Sequence, residues 1–175
     1  YLVMSDFIID NVEIYEGSGL GPVMGSVAVS GDRITAVGHV GSAIPVETRI
    51  DGNGLALAPG IIDSHTHFDA QVTWDPMVAP SPEHGVTTAL IGNCGFTIAP
   101  CRPADRELTM QNLVRVEGMS LEAMRAGINW QFESFDDYLA LIEGQGLGPN
   151  IASFVGHSSV RTYVMGSAAP LRSAT

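Results

Sequence analysis

The sequence predicts an α/β fold in two parts, a small β unit over residues 1–57 and the first strand-helix units of a parallel sheet over residues 58–175. Three observations carry this. Short β-branched runs separated by glycine turns fill the first third of the chain. After Pro59 the pattern changes to an apolar strand followed by a helix. Two of those later strands end in residues that bind metals, His65 and His67 after the first and Cys94 after the second.

Taken in order, the first third reads as strands at Phe7-Ile-Ile, Val12-Glu-Ile-Tyr15, Ser26-Val-Ala-Val-Ser30, Arg33-Ile-Thr-Ala-Val37 and Thr48-Arg-Ile-Asp51. Turns at Gly17-Ser-Gly, Gly31-Asp and Gly52-Asn-Gly54 separate them, so a small antiparallel unit is expected, with Ser30-Gly-Asp-Arg33 as a tight hairpin. Apolar strands follow from Gly60 to His65, Val86 to Ile91 and Ile151 to Val155. Helices are expected from Asp105 to Val116, Leu121 to Ala126 and Ser134 to Glu143, the last with Ser134 as N-cap and Asp136 and Asp137 in its first turn. The segments 38–45 and 144–149 read as the most flexible, and no internal repeat or low-complexity tract interrupts the pattern.

Composition narrows the partners. The chain has 175 residues, of which 45% are hydrophobic and 15% charged, a globular balance. Nineteen acidic against eight basic residues give a net charge of -11, which repels phosphate backbones and anionic lipid surfaces. Nucleic-acid and membrane partners are therefore disfavoured, and a small-molecule substrate is expected. The N-terminus lacks the basic and long apolar regions of a signal peptide, so a cytoplasmic location is expected. Cys94 and Cys101 are too few for a disulfide framework.

The chemistry begins at Gly60-Ile-Ile-Asp63-Ser-His65-Thr-His67-Phe-Asp69. Continued strand alternation would point Asp63, His65 and His67 to one side of the backbone, where two imidazoles can chelate one ion. The stretch His84-Gly-Val-Thr-Thr-Ala-Leu-Ile-Gly92-Asn-Cys94-Gly ends the next strand in a glycine-flanked thiol. In a parallel barrel the two strand ends share one face. A lone cysteine is commonly a small buried hydrophobe; beside two imidazoles and a metal, its thiolate is stabilised.

These motifs are specific enough to resemble a family. Pro59-Gly-Ile-Ile-Asp63-Ser-His65-Thr-His67-Phe-Asp69 resembles the opening motif of the amidohydrolase superfamily. The stretch Asp69-Ala-Gln-Val-Thr-Trp-Asp75-Pro, then His84-Gly-Val-Thr-Thr, Gly92-Asn-Cys94-Gly and Ala99-Pro-Cys-Arg-Pro103, is similar to the N-acyl-D-amino-acid deacylases. So are Val116-Glu-Gly-Met, Gly127-Ile-Asn-Trp130-Gln-Phe-Glu-Ser-Phe135, Tyr138-Leu and Gly156-His157-Ser-Ser-Val-Arg161, and the resemblance covers nearly the whole chain. One departure is Glu83, where the family commonly has an aromatic residue before His-Gly-Val-Thr-Thr.

The resemblance implies part of a β-sandwich over 1–57 joined to a (β/α)8 barrel, truncated here, over 58–175. It implies zinc held by His65, His67 and Cys94, with the metal number open between one tight ion alone and one tight ion beside a second, weaker one. It also implies hydrolysis of an N-acyl-D-amino acid to a carboxylate and a D-amino acid, by a zinc-activated water and an aspartate acting as general base. That aspartate and two further histidine ligands are expected beyond Thr175, since His157 is the only histidine after His84. A closed barrel takes roughly 250 residues. The chain is accordingly expected to be an inactive fragment of an active parent, with Met4 as a natural start and Tyr1-Leu-Val as read-through. Two alternatives stand beside this: a piece that binds metal weakly and dissolves poorly, and a relative acting on cyclic amides as dihydroorotases and hydantoinases do. A cysteine where those enzymes carry a carboxylated lysine argues against the latter.

Other polar residues have competing roles. Asp69 either orients a ligand histidine from behind or stabilises the turn after the strand. Asp63 is expected to satisfy backbone donors. His157, Ser158, Arg161 and Tyr163 are candidates for the substrate pocket, where an arginine would suit the free carboxylate of an N-acyl amino acid; the alternative for Arg161 is a pair with an acidic residue on a neighbouring helix. Trp74, Trp130, Phe132 and Phe135 read as packing residues, Cys101 as structural, and His39 and His84 as surface or packing residues.

Overall fold

The computed structural model describes residues 5–41 and 45–174. The expected start at Tyr1-Leu-Val and Met4, the middle of the 38–45 segment and Thr175 lie outside the described residues. The chain divides into two compact units, residues 1–59 and 60–175.

The first unit is one five-stranded sheet. Strand β1 (Ser5–Ile14) runs through what the sequence reads as two strands. The break is absorbed at Asn11, whose φ of 52° marks an irregularity where pairing with the next strand shifts between Ile9 and Val12. Asparagine tolerates that left-handed conformation better than most residues, and its side chain here donates to the Asp51 carboxylate at 3.1 Å. The strands β2 (Val23–Ser30) and β3 (Arg33–Gly38) follow antiparallel through the expected two-residue turn at Gly31-Asp32. The expectation of an antiparallel unit fails for the rest: β4 (Val46–Asp51) and β5 (Ala56–Leu57) both pair with β1 in parallel. The sheet order β3-β2-β1-β4 explains it, because the chain leaves β3 on one side of β1 and returns as β4 on the other. Alternation and turn residues identify strands without fixing their direction. Val12, Ile14 and Val27 form this unit's buried core.

The second unit is a parallel sheet with helices. Its strands β6 (Ile61–Asp63), β7 (Val86–Ile91) and β8 (Asn150–Ser153) lie in that order, all parallel, registering Ile61 with Val86 and Thr88 with Asn150. Short 3-10 turns at Gln71–Thr73 and Pro82–His84 connect β6 to β7. Between β7 and β8 come α1 (Arg106–Glu117), α2 (Leu121–Gly127) and α3 (Phe135–Gly144), each within a residue of its expected span. Ser134 caps α3 as expected: its hydroxyl accepts from the Asp137 N–H, and the Asp137 carboxylate accepts from the Ser134 N–H, both at 3.1 Å.

Two expectations need correction here. The strand β6 stops at Asp63, so His65 and His67 lie beyond it. The physical cause is Asp63, whose carboxylate accepts from the His65 N–H at 3.1 Å and turns the chain. Residues 157–165, for which no helix was expected, form one, α4 (His157–Met165). Their serines and β-branched residues have low helix propensity, and tertiary contacts hold them. Buried Ser159 donates to the Thr97 carbonyl at 2.6 Å and accepts from the Thr97 N–H at 3.0 Å.

The core of this unit lies between helices and sheet. Met124, Phe132, Tyr138 and Ile142 bury against Val72, Val78, Ile91 and Ile98. Each fully buried apolar side chain of this size contributes roughly 1.5–3 kcal/mol. Trp130, Phe132 and Tyr138 form a chain of rings with centroids 5.3 and 5.2 Å apart, the packing role expected of Trp130 and Phe132. Among the described residues, no helix is long and apolar enough to cross a membrane.

Candidate metal centre

The loops after β6 and β7 bring three donors together. One ligand atom from each of His65, His67 and Cys94 lies within 4.8 Å of the other two. The Cys94 Sγ is 3.3 Å from His65 Nε2, and the two imidazole rings meet edge to face with centroids 5.4 Å apart. The expected convergence is present, and it is made by loop geometry instead of strand alternation.

Local backbone chemistry builds each side. On the histidine side, Asp63 fixes the turn and the Thr66 N–H donates to the Leu90 carbonyl at 3.3 Å. On the thiol side, Asn93–Gly95 forms a tight 3-10 turn in which Cys94 has φ 55° and ψ 10°. This is left-handed space, where residues other than glycine, asparagine and aspartate rarely sit. Gly92 precedes it at φ 79°, and a Cβ there would lie 2.3 Å from the Phe154 carbonyl oxygen, so only glycine fits.

Two carboxylates complete the surroundings. Asp69 is 2% exposed, and one of its oxygens accepts from the Gly92 N–H at 3.1 Å. Burial pushes its carboxyl up to about 7 from an ordinary 3.8; the Gly92 hydrogen bond opposes this and the nearby negative charge of Glu117 adds to it. Tyr138 donates to the Asp69 backbone carbonyl at 3.0 Å, and burial holds the Tyr138 hydroxyl well above its usual range. Glu117, the last residue of α1, places a carboxylate oxygen 3.2 Å from His67 Nε2.

The donor set suits zinc. Two imidazoles and a thiol are ligands that zinc accepts. The second oxygen of Asp69 and the Nδ1 of His67 are both buried without a hydrogen-bond partner, which is rare enough in folded proteins to mark a site built for something further.

The structure distributes the other candidates unevenly. His157, at the start of α4, lies against the cysteine turn: a Cβ built on Gly95 would be 3.9 Å from the His157 Cβ. Ser158 is half-buried beside Phe96 and Asn112. Arg161 donates to the backbone carbonyls of Ala169, at 3.0 Å, and of Arg172, and has no acidic partner in these contacts. The Tyr163 hydroxyl donates to Glu133 at 3.3 Å, and the Arg102 guanidinium lies over its ring. Cys101 is buried with a free thiol, and His39 and His84 are exposed. Glu117 and Asn93 were missed as site residues, because contacts across 50 and 27 positions leave no local signal.

Adjacent parallel strands, followed by loops that bring two imidazoles and a thiol together, define an α/β protein with a donor cluster able to hold a metal ion. The chain belongs to the amidohydrolase family, whose model matches residues 48–175. It is 34% identical over 160 residues to a D-aminoacylase of Alcaligenes xylosoxydans xylosoxydans, covering 91% of this chain and 31% of that relative. A D-aminoacylase structure studied for its binuclear metal centre matches with a TM-score of 0.80 at 34% identity, covering 98% of this chain and 33% of the other. The N-acyl-D-glutamate deacylase of Bordetella bronchiseptica, solved with zinc and a phosphonate mimic of the tetrahedral intermediate, matches with a TM-score of 0.77 at 28% identity, covering 99% and 33%. The chain thus spans about a third of the length of these relatives. Its second unit is the opening of a (β/α)8 barrel.

Proposed function

We propose that the protein carrying this chain is a zinc-dependent hydrolase that cleaves N-acyl-D-amino acids to a carboxylate and a D-amino acid. The observation that carries this reading is the convergence of His65, His67 and Cys94 within 4.8 Å. In it, those three residues hold the metal, one ion tightly and a second weakly. The supporting relatives are a D-aminoacylase with a binuclear centre and an N-acyl-D-glutamate deacylase with zinc. Bound zinc would supply a water acidic enough to ionise near neutral pH and a Lewis acid for the scissile carbonyl.

The chain's own residues position that chemistry. Asp69 backs the centre from its buried side, and the Glu117 carboxylate, 3.2 Å from His67 Nε2, holds that imidazole in place. His157 and Ser158, at the start of α4 beside the cysteine turn, form a wall of the substrate pocket. Arg161 and Tyr163 would join it only by leaving their present partners, Ala169 and Arg172 for the first and Glu133 for the second. In the same reading, residues 1–57 belong to a β-sandwich and 58–175 to the barrel. The 175 residues by themselves are, in this reading, catalytically inert: among the described residues, three candidate donors converge.

The test is a paired hydrolysis assay on N-acyl-D- and N-acyl-L-amino acids with acidic, aromatic and aliphatic side chains. It is run on the full-length zinc-loaded enzyme and again after chelation. D-selective release of free amino acid, abolished by chelator and by His65→Ala, is expected. Turnover of cyclic amides with none of N-acyl-D-amino acids would overturn the substrate class.

A further inference from the structure

We infer that Asn93 is a positioning residue of the centre: its carboxamide locks the cysteine turn to the histidine loop and so sets the thiol of Cys94 in register with His65 and His67. The inference rests on the metal reading above. Its basis is one side chain joining two ligand-bearing segments. Asn93 Nδ2 donates to the Thr66 carbonyl at 3.1 Å and to the Leu90 carbonyl at 2.7 Å. Thr66 lies between the two histidines, Leu90 lies in β7, and Asn93 immediately precedes Cys94. The carboxamide therefore fixes the cysteine relative to the histidines through two hydrogen bonds and the peptide link from Asn93 to Cys94.

The residue type follows from the two acceptors. Both are carbonyl oxygens, so the position calls for a group with two donors on one atom at a short reach. Aspartate offers none, serine offers one, and glutamine is a methylene too long for the same turn. The orientation of the amide is settled by the same argument, since its oxygen would repel both carbonyls.

The turn needs such a lock. Cys94 sits at φ 55°, a conformation that costs an L-residue free energy, and its thiol is exposed, with little packing to hold it. The neighbouring contacts hold the flanks of the turn and leave Cys94 itself to Asn93. The Gly92 N–H is tied to Asp69, and Gly156 packs so closely on the backbone of Gly95 and Thr97 that a Cβ there would lie 2.8 Å from the Gly95 oxygen.

Cobalt(II) serves as the probe, because a cobalt-bound thiolate gives a sulfur-to-metal charge-transfer band that imidazole does not. The purified protein, wild type, Asn93→Ala, Asn93→Asp, Cys94→Ala and the Asn93→Ala/Cys94→Ala double variant are titrated with cobalt(II), and affinity and band intensity are read together. Removing a group that orients a ligand typically weakens metal binding about 10- to 100-fold. The expected result is a loss of about 10-fold in Asn93→Ala with most of the charge-transfer band gone, and no further loss from Asn93→Ala once Cys94 is alanine. A residue with a merely structural role would weaken binding equally in both backgrounds, and that outcome overturns the inference. So does an Asn93→Ala protein with band and affinity intact. If Asn93→Ala does not fold, the near-isosteric Asn93→Asp carries the same reading. In the wild type, the Asn93 carboxamide protons must also exchange slowly with solvent; fast exchange overturns the lock. Failure of the metal reading looks different: the wild type itself would show no charge-transfer band, and Cys94→Ala would leave cobalt affinity unchanged.

Discussion

Replacing Cys94 with glycine is expected to stabilise the metal-free protein relative to replacing it with alanine. Cys94 holds φ 55° and ψ 10° and its thiol is exposed, so truncation sacrifices little packing in either variant. An L-residue in that region costs roughly 1–2 kcal/mol that glycine does not incur, while glycine's larger unfolded-state entropy returns roughly 0.5–1 kcal/mol. The net advantage of glycine is about 1 kcal/mol, equivalent to roughly 2–4 °C in melting temperature for a chain of this size. Urea unfolding in excess chelator reads it directly, with Cys94→Ala as the reference. Zinc then reverses the order against wild type: a ligand at 100 times its dissociation constant adds about 2.7 kcal/mol to a protein that binds it. If glycine and alanine at position 94 are equally stable without metal, the strain at Cys94 is not real and the argument built on the turn fails.

The buried carboxyl of Asp69 makes stability depend on pH in the metal-free protein. Its folded pKa of about 7 lies above the ordinary 3.8, so its contribution is fully present below about pH 4, falls as pH rises through the window and is gone above about pH 7. The loss is at most roughly 4 kcal/mol, and Asp69→Asn, which keeps an acceptor for Gly92, is expected to flatten that slope in chelator-treated urea melts; an unchanged slope refutes the assignment. Gly92→Ala combines a positive φ with a Cβ 2.3 Å from the Phe154 oxygen, and a loss of more than about 2 kcal/mol is expected by denaturant unfolding. Ser134→Ala removes the cap of α3 and is expected to lower stability by about 1 kcal/mol with metal affinity unchanged.

Much of this fold was legible because local chemistry decided it. Ser134 and Asp137, three residues apart, announce the start of α3, and the β-branched and apolar run at Val86–Ile91 reads as a strand. Strand direction was not legible, since β4 reaches β1 around the far side of the sheet and no residue in β4 encodes that path. Helix α4 was missed because its support, the bond between Ser159 and Thr97, spans 62 positions. The donors of the site were readable as His-x-His and a glycine-flanked cysteine, and their meeting follows from parallel strands sharing one end. Of what surrounds them, Asp69 was a candidate from its place after the histidines, whereas Asn93 and Glu117 act across the chain and were not, and the turn at Asp63 replaced the alternation expected to align the histidines.

The central claim is that Cys94 and the two histidines share one ion, and X-ray absorption at the zinc edge of the loaded protein tests it most directly. The account predicts a sulfur scatterer at about 2.3 Å together with nitrogen or oxygen scatterers at about 2.0–2.1 Å. The sulfur is expected to vanish in Cys94→Ala, while nitrogen or oxygen scatterers remain. Zinc surrounded by light atoms alone in the wild type would contradict the account.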